Sequence, residues 1–204
     1  MAFALVESGK ITKMMRGNKG ITIGDNQYPA AIFTVWTESE RNAIGIYTIE
    51  IDETNRKNEE WYINTDITYA YDSSAKKVKG TYGTATAKAH ADTKWTQSEI
   101  DAGNAPAGAD TNTVKTEGLK TILIRAIKLQ VKSILNETDW YITRKAEKST
   151  AIPSAITTHR DAVRTKQAAM ETAITNAADT AALETLYKRG DNNERPLGDL
   201  PNLE

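Results

Sequence analysis

Apolar residues change their spacing partway along this chain, and the change divides it. From Phe3 to Tyr82 they come in short runs or alternate with polar residues, the period of a strand. Phe3 to Val6 and Ile11 to Met14 flank Glu7-Ser8-Gly9-Lys10, which reads as a tight turn, and Ile44 to Ile51 is a β-rich run. Tyr69 and Tyr71 alternate with Thr68 and Ala70, Asp72-Ser73-Ser74 supplies turn residues, and Val78, Gly80 and Tyr82 return. This predicts a hairpin with one aromatic face. From Leu119 the period is helical: Leu119, Ile122, Leu123, Ala126, Ile127, Val131, Ile134 and Leu135 mark one face, and Ile124 and Leu129 widen it. Only Thr121, Arg125, Lys128 and Lys132 form the polar strip. An apolar arc that wide needs cover from more than one direction, so this helix is expected at the centre of a bundle or of an oligomer.

Start and stop signals refine the division. Trp36-Thr37-Glu38-Ser39-Glu40 and Trp95-Thr96-Gln97-Ser98-Glu99 share the capping-box spacing, two uses of one helix-start signal rather than a duplicated domain. Ala102 to Thr113 has no periodicity and is rich in Gly, Ala and turn formers, which makes it the best domain boundary. Asp139 is placed to cap a second short helix through Glu147, and Pro153 to stand in the first turn of a third, long one. There Ile156, Val163, Met170 and Ala177 recur every seven residues beside Ala173 and Ile174, a stripe suited to packing on the Leu119 to Leu135 helix. Asp179-Thr180 caps a last helix with Leu183, Leu186 and Tyr187 on its inner side. Gly190, Pro196, Gly198 and Pro201 mark the C-terminal segment as an extended tail, read either as a disordered end or as an arm docking Leu197, Leu200 and Leu203 on a neighbouring subunit. The expected fold is α+β: a small antiparallel β domain over 1–94, a short helix and linker over 95–113, a helical bundle-like domain over 114–188, and the tail over 189–204.

Asn136-Glu137-Thr138-Asp139-Trp140-Tyr141-Ile142-Thr143-Arg144-Lys145, then Ile152-Pro153, then His159-Arg160-Asp161-Ala162-Val163-Arg164 form the most specific pattern in the chain. It resembles a bacteriophage tail signature found in tail fibre domains and in tail fibre assembly, or tail assembly chaperone, proteins, and the resemblance covers 116–187. It implies a helix ending before a Thr-Asp-Trp turn, a second short helix, and a Pro-started helix with an Arg-x-x-x-Arg pair. His159 departs from it, standing where the family commonly has an aromatic, and the segment after Trp140 is basic where chaperone members are often acidic. The resemblance implies a structural component of a phage tail, fibre or baseplate, made in the host cytoplasm and carried in the virion, whose partners are other tail or fibre proteins. A homo-oligomer is expected, three copies being favoured. Two alternatives stand beside it: an assembly chaperone absent from the mature particle, and a host receptor-binding module.

Composition narrows the chemistry. Within 204 residues, 26 basic and 27 acidic side chains are interspersed for a net charge of −1, so no overall charge favours nucleic acid or an anionic bilayer. The first residues carry neither a basic segment nor a long apolar run, so no signal peptide or membrane anchor is expected. The absence of cysteine excludes disulfides and thiol catalysis, and with only His90 and His159 a three-His zinc site cannot be built. No cofactor, no metal and no catalytic residue is assigned, and an enzyme is not expected. Asp52-Glu53 and Glu59-Glu60 read as solvated loop charge rather than as the paired carboxylates of a glycosidase. Trp61, Tyr62, Tyr69, Tyr71 and Tyr82 read as sheet core more readily than as a sugar-stacking face. Trp140 is expected to bury its ring near Ile134 and Leu135, and Arg144, Arg160 and Arg164 to pair with Asp139, Glu147 or Asp161 or else to meet a partner. With Tyr141, Leu119, Ile122, Ile127, Leu197 and Leu200, these are the candidate packing or partner-interface residues.

Overall fold

Strands β1 (Phe3–Glu7) and β2 (Lys10–Met15) pair antiparallel across Ser8 and Gly9, whose φ of 51° and 77° supply the turn that follows strand twist. The computed structural model describes residues 2–203 and divides into two units, Met1–Thr86 and Ala87–Glu204. The first continues through β3 (Ile21–Ile23), β4 (Asn26–Tyr28), α1 (Ile32–Val35), α2 (Glu38–Ala43), β5 (Ile46–Asp52), β6 (Tyr62–Ile63), β7 (Ile67–Asp72) and β8 (Lys77–Tyr82). Five of these strands form one sheet in the order β2-β1-β5-β8-β7, and its edge strands β2 and β7 approach one another.

Alternation along β1 feeds two cores. Phe3 and Leu5 join Ile21, Ile32, Phe33 and Ile46 on one face, while Ala4 and Val6 join Val78 on the other, where Ile11, Tyr47, Ile49 and Tyr71 close in. The predicted hairpin of β7 and β8 is present, with Tyr71 opposite Val78. An all-antiparallel sheet is corrected at one place: β5 and β8 run parallel, Ile49 beside Val78. The chain between them contains β6 and β7, long enough for the crossover that parallel strands require.

Strand β9 (Thr86–Ala87) lies at the junction, and the second unit holds β10 (Thr93–Lys94), α3 (Gln97–Asp101), β11 (Val114–Thr116), α4 (Leu119–Asn136), α5 (Asp139–Lys148), α6 (Ser154–Asn176) and α7 (Thr180–Tyr187). The division therefore precedes the Ala102 to Thr113 stretch instead of falling within it. That stretch is a loop whose ends are tied by β10 pairing antiparallel with β11, and Asp110 organises its close by accepting from the Thr113 N–H at 2.8 Å. Both capping boxes form, Thr37 with Glu40 and Thr96 with Glu99.

The long helices assemble by the heptad spacing. Ile156, Val163, Met170 and Ala177 are all buried, and α6 packs along α4, which turns Leu119, Ile127 and Val131 inward. Full burial of an apolar side chain of this size contributes about 1.5–3 kcal/mol. Helix α4 starts at a position with no capping side chain, Gly118; the Ala89 and His90 carbonyls accept from the Leu119 and Lys120 N–H groups at 2.9 and 3.0 Å, and Asp92 accepts from the Gly118 N–H at 2.7 Å. A Cβ on Gly118 would overlap the Ala91 carbonyl, so glycine is what lets the 89–92 segment lie across the helix start. Asp92 is held below the usual carboxylate range by that bond first and by Thr121 second.

Lys115 on β11 bonds Glu99, and its ammonium sits 4.8 Å from the Trp95 ring centre. That bond, with the Thr96 backbone and hydroxyl, lowers the Glu99 carboxyl from 4.5 to about 2. A depressed carboxylate pKa adds stability above the unfolded value and loses it as pH falls through the folded one. Hydrogen-exchange protection of the Glu99 and Ile100 amides is therefore expected to decline as pH drops from 4.5 toward about 2, and Glu99→Gln to abolish that dependence. A Glu99 carboxyl titrating by NMR at the ordinary Glu value would contradict this.

Candidate partner interface

The turn between α4 and α5 is built around Arg160. Its Nη1 donates to the Leu135 carbonyl at 2.7 Å and to the Thr138 hydroxyl at 2.6 Å, and its Nη2 lies 2.8 Å from Asp139 Oδ1. The Thr138 hydroxyl in turn donates to the Leu135 carbonyl at 3.1 Å. A planar fork suits this task because one side chain reaches three acceptors at fixed angles. The cation sits at the carbonyl end of α4 and the carboxylate in the first turn of α5, so both helix dipoles are complemented. Arg160 and Thr138 are buried, whereas the Asp139 side chain keeps 53% of its exposure.

This arrangement corrects two expectations. Asp139 is the first residue of α5 and not its cap, since Thr138 holds the cap position with its hydroxyl committed to Leu135 and Arg160. Trp140 does not bury its ring against Ile134 and Leu135: it is 51% exposed, because Thr138 and the Arg160 guanidinium already fill the inside of the corner. Pro153 likewise takes the cap position of α6, one residue before the helix, where its carbonyl accepts from the Thr157 N–H.

On the outside of the corner, Trp140 and half-buried Tyr141 stack with ring centres 3.8 Å apart, and the Arg144 guanidinium lies 4.7 Å from the first and 5.1 Å from the second. Arg144 Nε is buried without a hydrogen-bond partner among the described residues. Arg164 meets Asp161 at 3.4 Å on an exposed turn of α6, a weak pair.

The apolar candidates separate into two sets. Leu119, Ile127 and Leu197 are buried within the unit. Ile122 is 46% exposed, and with it Leu129 at 62% and Ala126 line the outer side of α4. Leu129 and Ile142, the latter 44% exposed, are surface positions that the sequence pattern alone did not single out as interface candidates. The seven-residue step from Ile122 to Leu129 was the signal that places Leu129 on the outer face. The tail folds back on its own unit at Leu197, which is buried, whereas Leu203 stays 44% exposed. The Leu197 N–H donates to the Leu186 carbonyl at 3.0 Å, Leu200 is half-buried, and Asp199 pairs with Arg189 and Arg195 at 3.2 and 3.0 Å.

In the first unit the aromatic candidates are mostly internal. Trp61 and Tyr62 are buried, Tyr71 packs on Tyr47 at 4.6 Å, and Tyr69 alone of the five is exposed. Arg56 bridges Glu53 and Glu59 at 3.2 and 3.3 Å, which engages those carboxylates with a cation rather than with each other. Among the described residues no three His, Asp, Glu or Cys side chains gather as metal ligands, and no helix is long and apolar enough to cross a membrane. No family model, curated protein or solved structure matches this chain.

Arg160→Met is expected to lower the stability of the second unit by about 2–4 kcal/mol, since it strips charge-assisted bonds from a buried corner. Arg160→Lys should recover little of this, and Arg164→Ala should stay within about 0.5 kcal/mol of the parent. Urea unfolding followed by circular dichroism measures all three, and equal losses at 160 and 164 would deny the corner its special role.

Proposed function

We propose that this protein is a structural component of a bacteriophage tail, in the fibre, the baseplate or an associated part, acting through protein contacts and assembling with copies of itself. The observation that carries the reading is the outer surface of the segment bearing the phage-like pattern: a corner held from inside by Arg160, with Trp140, Ile142 and the α4 stripe facing solvent. Large apolar groups on a braced scaffold suit binding, because little conformational entropy is lost when they are covered.

Ile122, Ala126 and Leu129 succeed one another at steps of four and three, the spacing of a helix seam. This favours like helices side by side, and three copies remain the favoured number. The partners are then other tail or fibre proteins, and no role is assigned to nucleic acid, membrane, metal or cofactor.

Mass spectrometry of purified particles is the first test. A fixed copy number in multiples of three or six supports a built-in tail component, whereas absence from particles with abundance in infected-cell lysate replaces it with the assembly-chaperone reading. Binding of host cells or glycans by the full chain, lost on Tyr69→Ala, would favour a receptor-binding module instead. Self-association has its own test: light scattering of the intact chain should give an oligomer at micromolar concentration and a monomer for Leu129→Glu. A monomeric parent would remove the seam from the proposal.

A further inference from the structure

The first unit contains a concentration of positive charge that the phage reading does not use. Lys10, Lys13, Arg16 and Lys19 fall at intervals of three, and no acidic residue occurs between Glu7 and Asp25. Among the described residues none of the four forms an ion pair, although ten such pairs involve cations elsewhere in the chain. Lys10 stands opposite Glu7 in the β1-β2 pair, whereas Lys13 near the end of β2 and Arg16 and Lys19 in the loop after it have no such neighbour in the sequence, and like charges near one another gain by binding an anion.

The loop between β2 and β3 is held in shape. Gly17 adopts φ 72°, and a Cβ on it would press on the Phe3 ring at 2.8 Å and on Phe33 at 3.0 Å. A Cβ on Gly20 would meet the Tyr28 carbonyl at 2.7 Å. The loop is thus seated on the Phe3 and Phe33 side chains at Gly17 and on the Tyr28 to Ala30 backbone at Gly20. No backbone N–H from Gly17 to Gly20 has a hydrogen-bond partner among the described residues. Consecutive free N–H groups next to a left-handed residue form the kind of concavity that takes a tetrahedral oxyanion.

A cavity of about 420 Å³ lies at this place, lined by Lys13, Met14, Met15, Arg16, Lys19 and the loop backbone. Its volume is in the range of small-molecule sites. No aromatic side chain is in the lining, so it has no platform on which a nucleobase could stack. Three cations with a row of backbone donors exceed what a single carboxylate needs and match a multiply charged phosphate.

We infer that the segment 13–21, the end of β2 with the loop into β3, is a binding site for a small phosphate-bearing anion, with Lys13, Arg16 and Lys19 supplying charge and the Gly17 to Gly20 backbone supplying N–H donors. The site belongs to the first unit and stands or falls independently of the tail assignment.

Isothermal titration of the intact chain with inorganic pyrophosphate at low salt is the direct test. Saturable one-to-one binding is expected, weakening as salt rises. Lys13→Ala/Lys19→Ala should raise Kd about tenfold or more, while Lys145→Ala/Lys148→Ala, which removes the same charge from α5, leaves it unchanged. Amide NMR shifts on binding should concentrate at Gly17 to Gly20. Absence of saturation at millimolar pyrophosphate overturns the inference, as do equal losses in the two double variants or shifts centred elsewhere. Binding of a double-stranded DNA fragment without binding of pyrophosphate would also overturn it, by making the loop a polymer-binding surface.

Discussion

The last carbonyls of a helix have no donors within it, and a tight turn into a second helix leaves little room for water to satisfy them. Here the Arg160 guanidinium enters from the third helix and takes the Leu135 carbonyl, the Thr138 hydroxyl and the Asp139 carboxylate together. The second unit depends on this contact more than on any other polar one, because it fixes where α4 ends, where α5 begins and how α6 lies beneath both. The heptad stripe of α6 supplies the apolar energy, but a stripe of Ile156, Val163, Met170 and Ala177 tolerates sliding along α4. A buried fork with three acceptors at the corner does not, and so it sets the register.

Filling the corner with a cation and a threonine has a consequence outside it. Trp140, with its large ring, is displaced to the surface, where Arg144 covers part of it and of Tyr141. The same logic acts along α4: α6 covers only one side of an arc that is too wide for it, so Ile122 and Leu129 remain outside. Scattered single apolar residues at a surface need no explanation, but these share a helix and a spacing, and lead into a braced turn.

Local rules made much of the fold legible. The two capping boxes, the β1-β2 turn, the Asp179 cap and the heptad of α6 each depend on residues within one or two turns of one another, and each forms. The features that sequence did not disclose were long-range. The parallel pairing of β5 with β8, the closing of the 95–113 loop by β10 and β11, and the capping of α4 by the Ala89 and His90 carbonyls all join residues far apart in the chain. The Trp140 misreading has a different origin. A tryptophan beside a helix cap is usually the group that fills the corner, and only the arrival of Arg160 from 22 residues beyond Thr138 decides otherwise. The candidate Arg pair was visible, but the difference between its members was not, because burial and exposure on one helix face are set by what packs there.

Whole-chain charge says little about any one surface. A net charge of −1 describes the sum over 204 residues and is blind to how the signs are distributed. Cations such as Arg56, Lys77, Lys115 and Arg189 stand against an acid in three dimensions, so their fields cancel within a few ångströms. From Lys13 to Lys19 no cation forms an ion pair among the described residues, and the loop that carries Arg16 and Lys19 is seated on the Phe3 and Phe33 side chains at Gly17. Interactions of exposed charges decay over a Debye length of about 8–10 Å, so a local excess acts on a ligand while the distant acids do not. An averaged neutrality therefore leaves a compact anion at one loop untouched by the argument.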